Sequence, residues 1–220
     1  MGAERGRGPA RGRRRAAVPA DGSRARLLAA ANREFAARGF AGASVDRIAA
    51  SAGLNKAMIY YHFKSKAALY REIIRDMFDA FGRRVSDVAA SHAAPADKIR
   101  QYVDAFAVEA AAHPHFPPIW FREVAEGGTH LDEAIVADMA VILRSLAAII
   151  DEGVEQKTFS PVNPLLVHAG IVAPVLLYFA TAGIRGRLER TGVRAAGVDR
   201  AQVVAHVQRV TLGLLEGRLA

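Results

Sequence analysis

Hydrophobic residues recur every three or four positions along most of the chain, and no stretch alternates with the two-residue period of a half-buried β-strand. A first helix should begin near Ser23, a good N-cap, and stop at Gly39. A short second helix should be capped by Ser44 and end at Gly53, and a long helix should follow Ser65. The whole pattern predicts an all-α protein. The later helical segments are 97–112, 130–154, 164–182 and 198–218, with a break at 113–118 and a loop at 183–197.

The third helix is short, and its two faces differ. Asn55 is a strong N-cap, so the helix should run over 56–63. At 100° per residue, Ile59 and Phe63 share one stripe that should be buried, whereas Ala57 and Tyr61 point away from it. Two short helices joined by a tight, glycine-containing turn form a helix-turn-helix.

The exposed face of this third helix suits a DNA major groove. Small Ala57 lets the helix backbone come close, while the long side chain of Lys56 reaches phosphates or base edges. Tyrosine hydroxyls and the ammonium groups of Lys64 and Lys66 are typical phosphate anchors. We therefore expect these residues to face DNA.

Charge is distributed unevenly along the chain, whose net charge is +8. Residues 1–20 hold six arginines and one glutamate, and residues 21–70 hold eight basic and three acidic residues. Residues 71–220 hold sixteen basic and eighteen acidic residues. A positive N-terminal end fits contact with a polyanion. The Gly/Pro/Arg-rich tail 1–20 should be disordered, and whether it contacts DNA or only reflects base composition stays open. No apolar run follows its arginines, so we expect no signal peptide and a cytoplasmic protein.

Residues 23–70 resemble the DNA-binding domain of TetR-type (TetR/AcrR) transcriptional regulators. The resemblance rests on RLLAAANREFAARGFAGASVDRIAASAG and on LNKAMIYYHFKSKAALY, which follows it. Ala57 and Met58 depart mildly from the family, where the first position is often glycine and the second often small or polar. The resemblance implies that double-stranded operator DNA is contacted by Ser44, Asn55, Lys56, Ala57, Tyr60, Tyr61, His62 and Lys66.

The resemblance also implies a C-terminal helical domain that binds an effector and dimerises. The expected organisation is a basic tail at 1–20, a DNA-binding domain at 21–68 and an effector-binding and dimerisation domain at 69–220. The apolar faces of 164–182 and 198–218 are too extensive to stay exposed on a monomer, so we expect a homodimer. Such a protein is usually a repressor that a small molecule releases from its operator.

Nothing local in the C-terminal part proves an effector pocket. Several aromatic and polar residues could line one, although each also fits an ordinary core position. An alternative therefore stays open: a helix-turn-helix protein without a small-molecule sensor, acting as an activator or architectural factor. The candidate pocket residues are Phe106, Trp120, Glu123, His168 and Tyr178.

Two other protein classes are disfavoured. Residues 164–184 carry no charge and are long enough to span a bilayer, but they include Pro174, and no second such segment exists. None of the seven histidines has the spacing of a catalytic base, and there is no cysteine. His113 and His115 could form half of a metal site, although a solvated loop is the simpler interpretation. We expect no membrane span, no enzymatic activity, no metal and no cofactor.

Overall fold

The structure, a computed structural model, describes residues 20–192 and 197–218, and the regular secondary structure of these residues is all α-helix. The predicted fold class is thus confirmed. The arginine-rich tail, apart from Ala20, lies outside the described residues. The helices are α1 (Ala20–Gly42), α2 (Val45–Ala52), α3 (Ala57–Phe63), α4 (Lys66–Ala90), α5 (Pro95–Ala112), α6 (Phe116–Ala125), α7 (Glu133–Glu155), α8 (Pro164–Ala180), α9 (Ala182–Glu189) and α10 (Arg200–Leu215).

The first helix begins earlier than predicted. Ser23 lies inside α1 and is only 3% exposed, so it does not cap the helix. Gly39, with φ 68° and ψ 178°, ends the regular helix as predicted, and the chain resumes for one short turn to Gly42. Serine favours the N-cap position in general, but Ser23 is buried within the helix.

The caps predicted for the next helices are present. The Ser44 hydroxyl accepts a hydrogen bond from the Arg47 amide at the start of α2. The Ser65 hydroxyl accepts one from the Ala68 amide at 3.0 Å and begins α4. Serine supplies the acceptor that the free amides of a first helical turn require.

Two helices were missed. The predicted break at 113–118 contains the start of α6, because prolines are tolerated in a first helical turn, where their missing N–H is not needed. The predicted loop at 183–197 contains α9, all of whose residues are exposed or half-buried. A helix with no buried residue needs no apolar stripe, so hydrophobic periodicity does not predict it.

Two hydrophobic clusters form the core. One joins α4, α5, α6, α7, α8 and α10 in the C-terminal part of the chain. The other joins α1, α2, α3 and the first half of α4, and is completed by Ile119 from α6 and Ile135 from α7. The core beneath the helix-turn-helix is thus closed by residues that lie far beyond position 68.

Two tight contacts hold the C-terminal part together. Buried Lys98 on α5 donates to the Ala89 carbonyl at 3.0 Å and to Glu152 Oε2 at 2.6 Å, which ties α5 to α4 and α7. The ring of Phe159 lies against Gly153, where a Cβ atom would overlap it. Only glycine fits at position 153 without displacing that buried ring.

No single helix among the described residues has the length and apolar composition needed to cross a membrane. α8 and α9 meet those criteria only when taken together, and they are bent by 62° at the break between them.

Candidate functional site

The entry to α2 is fixed by Glu34 of α1. Its carboxylate accepts hydrogen bonds from the Ser44 amide at 3.2 Å and from Arg47 Nε at 2.6 Å. Burial raises the pKa of Glu34, but the hydrogen bonds from Arg47 and Ser44 outweigh it and hold the pKa below its usual value. Glu34 therefore stays ionised and holds Ser44 in place as the cap of α2. Ser44 is one of the predicted DNA contacts.

The turn between α2 and α3 is held by Arg26. Its guanidinium donates to the carbonyls of Ala52 and Gly53 at the end of α2. Gly53 has a left-handed backbone (φ 64°), and a Cβ there would lie 2.7 Å from the Arg26 guanidinium. Glycine satisfies both constraints, and Arg26 can therefore bond to the carbonyls of the turn that leads to α3.

The two faces of α3 are arranged as the spacing predicts. Ile59 and Phe63 are buried, at 0% and 3% exposure. On the opposite side Tyr61 is 74% exposed and Tyr60 51%, with Ala57 exposed beside them. Tyrosines rarely stand so far out of a folded surface without a partner, and a small residue between long ones leaves room for another molecule.

The start of α3 differs slightly from the prediction. Lys56, not Asn55, occupies the N-cap position, while Asn55 Oδ1 accepts a hydrogen bond from the Ala57 amide at 2.9 Å. Lys56 Nζ lies 3.2 Å from Asp46 Oδ1, and both side chains are exposed. An exposed pair contributes little stability, so Lys56 can exchange Asp46 for a phosphate at small cost.

Two of the predicted DNA contacts are less exposed than Tyr61. Lys66 donates to the carbonyls of Phe40 and Ala43 at 2.8 and 3.1 Å, and its ammonium stands 4.5 Å from the centre of the Phe40 ring. Its charge thus caps the end of α1 and does not face outward with Tyr61. His62 is half-buried, with its Nε2 enclosed and without a hydrogen-bond partner among the described residues.

A cavity of about 280 Å³ lies between α4, α5, α6, α7 and α8. Three of the five predicted effector contacts, Phe106, Trp120 and His168, line it. The other two do not line it. Glu123 is buried and bonded to Tyr70 of α4, and the Tyr178 ring packs against Arg185. The volume is close to the lower end of that usual for small-molecule sites. The remaining lining residues are Met77, Phe78, Phe81, Glu109, Ala110, Phe116, Val136, Met139, Ala140, Ile142, Leu143, Leu165, Val172 and Leu176.

The polar groups at the cavity are few. His168 Nδ1 lies 3.1 Å from the hydroxyl of buried Tyr102, which also lies 3.4 Å from the Ile142 carbonyl oxygen. Burial lowers the pKa of His168 to about 4 and raises the pKa of Tyr102. Both side chains are therefore neutral near pH 7 and can offer hydrogen bonds but no charge.

The other side of α6 contacts the end of α1. Arg122 donates to the carbonyls of Phe35 (at 3.1 Å), Ala36 and Ala37 (at 3.4 Å) at the end of α1. Phe116 and Trp120, four residues apart, meet the cavity, so one helix contacts both the cavity and α1. Sequence reasoning missed Arg122 because its partners lie 85 to 87 positions away.

Glu123, with Glu126 and His130, also forms the one group among the described residues whose side chains could converge on a metal ion. However, the Glu123 carboxylate already accepts hydrogen bonds from the Tyr70 hydroxyl at 3.0 Å and the His130 amide at 2.7 Å. His130 Nδ1 lies a further 3.0 Å from Glu123 Oε2. A network this well satisfied has a structural explanation, because a fully buried carboxylate needs such partners. It joins α6 to α4.

Two family models match the chain. The one described as bacterial regulatory proteins, tetR family, matches residues 27–73. The other, described as tetracyclin repressor-like, C-terminal domain, matches residues 95–208. Between them they cover the helix-turn-helix and most of the part that holds the cavity.

Relatives match over different lengths. The HTH-type transcriptional repressor SCO4008 of Streptomyces coelicolor is 35% identical over 114 residues, which span 52% of this chain but only 56% of that protein. The HTH-type transcriptional repressor NicS of Pseudomonas putida is 27% identical over 168 residues, or 74% of this chain and 77% of that protein. The solved structure of FadR from Bacillus subtilis in complex with stearoyl-CoA has a TM-score of 0.69 at 17% identity, covering 87% of this chain and 98% of that one. The structural match shows the fold alone.

Proposed function

Because the chain belongs to the tetR family of bacterial regulatory proteins, we propose that it is a transcriptional repressor that leaves its operator when a small molecule fills the cavity. The observation that carries the proposal is the exposed face of α3, with small Ala57 between long side chains on a helix whose opposite face is buried. Two of the relatives are named as repressors, which supports the proposed repressor function. The cavity favours this function over a DNA-binding protein without a sensor. A cytoplasmic location follows, because the operator lies there.

The proposed DNA contacts are those that the structure leaves free to reach a groove. Ala57 and Tyr61 would enter the major groove, and Tyr60 and Lys56 would contact its edges. Ser44 and Asn55 lie at the starts of α2 and α3, where the helix dipole favours a phosphate. We leave Lys66 out of this interface, because its ammonium is occupied by two carbonyls.

We propose a two-fold homodimer through α8 and α10. Leu166 and Leu177 on α8 are 70% and 53% exposed, and Val210 and Leu214 on α10 are also exposed. These side chains would be covered by the same helices of a second copy, since isologous contacts are usual in dimers. Sedimentation should show a dimer at micromolar concentration. A stable monomer would contradict the proposal.

The effector would act through α6. Phe116 and Trp120 touch the cavity, whereas Arg122 and Glu123 on the same helix hold α1 and α4. A ligand that fits only when α6 has moved would also move α1, and with it the helix-turn-helix. Release then requires that the ligand binds the moved conformation more tightly than the DNA-bound one.

The proposal is tested by selecting binding sites from random duplex DNA. The enriched sequences should be near-palindromes with half-sites about one helical turn, ~34 Å, apart. The recovered duplex is then challenged with a panel of ten-carbon amines, alcohols and acids. Failure to enrich any sequence would contradict the DNA-binding proposal, whereas release of the operator by a panel member would support the sensor over the alternative without one.

Replacing Arg122 with glutamine should weaken the connection between cavity and operator. The variant loses its charged contacts to the end of α1, so the effector should still bind but should reduce operator affinity less than in the parent. The measurement is the ratio of operator dissociation constants with and without the panel member that releases the parent. Arg71→Gln, which removes an exposed pair with Asp132, is the matched control and should leave that ratio unchanged. Full release from the Arg122 variant would show that α6 does not act through this contact.

A further inference from the structure

Only one of the described residues that line the cavity has an acidic side chain. Glu109 on α5 is 8% exposed and lies among apolar and aromatic residues. The described residues that line the cavity include no lysine and no arginine. His168 adds no positive charge near neutral pH, because burial lowers its pKa to about 4.

The Glu109 carboxylate is only partly satisfied by the protein. Arg84 Nε lies 2.9 Å from Oε1, and the Arg84 side chain is half exposed. His113 Nδ1 lies 3.5 Å from Oε2, and it is closer, at 3.1 Å, to the backbone oxygen of Glu109. A carboxylate can accept about four hydrogen bonds, so Oε2 keeps the capacity to accept one from a ligand.

Aromatic rings make up much of the rest of the wall. The rings of Phe81 and Phe106 are 3.7 Å apart at their centres, and Phe106 is one helical turn from Glu109. Phe78 and Phe116 both lie against Trp120, with centres 5.3 and 6.0 Å away. The faces of such rings attract positive charge, most strongly where water is excluded.

These features disfavour an anionic ligand. A carboxylate or phosphate buried here would lose its hydration, would meet no lysine or arginine among the described lining residues, and would be repelled by Glu109. A cation would gain both the carboxylate and the aromatic faces. The cavity thus discriminates by charge as well as by size.

We propose that the effector is a hydrophobic cation: an apolar body that carries one protonated amine or quaternary ammonium group against Glu109. The inference rests on the proposed function only in taking this cavity as the effector site. The ligand class differs in charge from the stearoyl-CoA bound by the Bacillus subtilis regulator.

The test compares probes that differ only in their charged group. Decylamine, decan-1-ol and decanoate form one set, used below their micelle concentrations, and 4-phenylbutylamine and 4-phenylbutyrate form an aromatic pair. Trp120 is the only tryptophan and lies in the cavity wall, so its fluorescence reports binding to the full chain. At least one amine should bind about tenfold or more tightly than the acid with the same skeleton. The net charge of +8 would favour the acids, so non-specific attraction cannot produce this order.

Variants of Glu109 and of its partner Arg84 test whether the Glu109 carboxylate produces the preference for amines. Glu109→Gln keeps the shape of the side chain, and the ratio of amine to alcohol affinity should fall about tenfold. Arg84→Gln removes the partner but keeps the carboxylate, so the preference for the amine should persist or increase. Unfolding curves of both variants identify any loss of fold.

The outcomes are distinct. Acids that bind as tightly as amines, or amines that do not bind, would overturn the proposed ligand class, and an amine preference that survives Glu109→Gln would overturn the role of Glu109. If decan-1-ol releases the operator while the amines show no advantage, the ligand class is wrong and the repressor function stands. If the chain binds no operator, the repressor function is wrong, and the charge preference is still measured by Trp120.

Discussion

Replacing Ala57 with aspartate is expected to abolish operator binding while the protein stays folded. Ala57 is exposed at the first position of α3, where a negative side chain is favourable to the helix itself. In the proposed complex, however, the same carboxylate would stand at the closest approach to the DNA phosphates. Like charges brought together at an interface cost several kcal/mol, so affinity should fall by about a hundredfold or more.

The measurement is a titration of operator DNA at fixed salt, with circular dichroism and thermal unfolding as checks of the fold. Ala57→Ser is the matched control, because it adds a small polar group without charge and should retain binding. Normal operator affinity in the aspartate variant would mean that α3 presents another face to DNA, or none.

Replacing Phe63 with alanine is expected to destabilise the fold, with lost DNA binding as a secondary result. Phe63 is almost fully buried on α3, and the Arg24 guanidinium lies 5.5 Å from the centre of its ring. Truncating a buried phenylalanine removes its packing and leaves a cavity, which costs ~3–5 kcal/mol. Denaturant unfolding should show this loss directly.

Tyr61→Ala is the control for Phe63→Ala, two positions away on the same helix. Tyr61 is exposed, so its removal should change the free energy of unfolding by no more than about 0.5 kcal/mol. It should nevertheless reduce operator affinity. If Tyr61→Ala unfolds the protein, or Phe63→Ala leaves its stability unchanged, the two faces of α3 have been assigned the wrong way round.

Features that depend on neighbours in sequence were predictable. The buried stripe of α3 follows from helical periodicity, since Ile59 and Phe63 are four positions apart. The caps at Ser44 and Ser65 follow from the need of each first turn for an acceptor. Helix α9 was missed for the complementary reason: it buries no residue, so it leaves no apolar pattern.

Features that depend on distant partners were not predictable from periodicity. Lysine is a residue type that often binds phosphate, but the Lys66 ammonium donates to carbonyls at the end of α1, which lie 23 and 26 positions away. Of the predicted cavity residues, Phe106, Trp120 and His168 line the cavity, whereas Glu123 turns toward Tyr70 on the other side of α6. Helical spacing says that a side chain faces inward but does not say which of two cores it enters.

Ile119 and Ile135 complete the core beneath the helix-turn-helix, so a fragment that ends at position 68 would lack part of its own core. Such a fragment would keep the buried residues of α1, α2 and α3 but would lose six buried members of the same cluster, namely Leu69, Tyr70, Ile73, Ile74, Ile119 and Ile135. Exchange of the helix-turn-helix between relatives, whether by recombination or by design, would therefore require these six partners to be carried along. The helix-turn-helix thus shares its core with α6 and α7, the same helices that line the cavity.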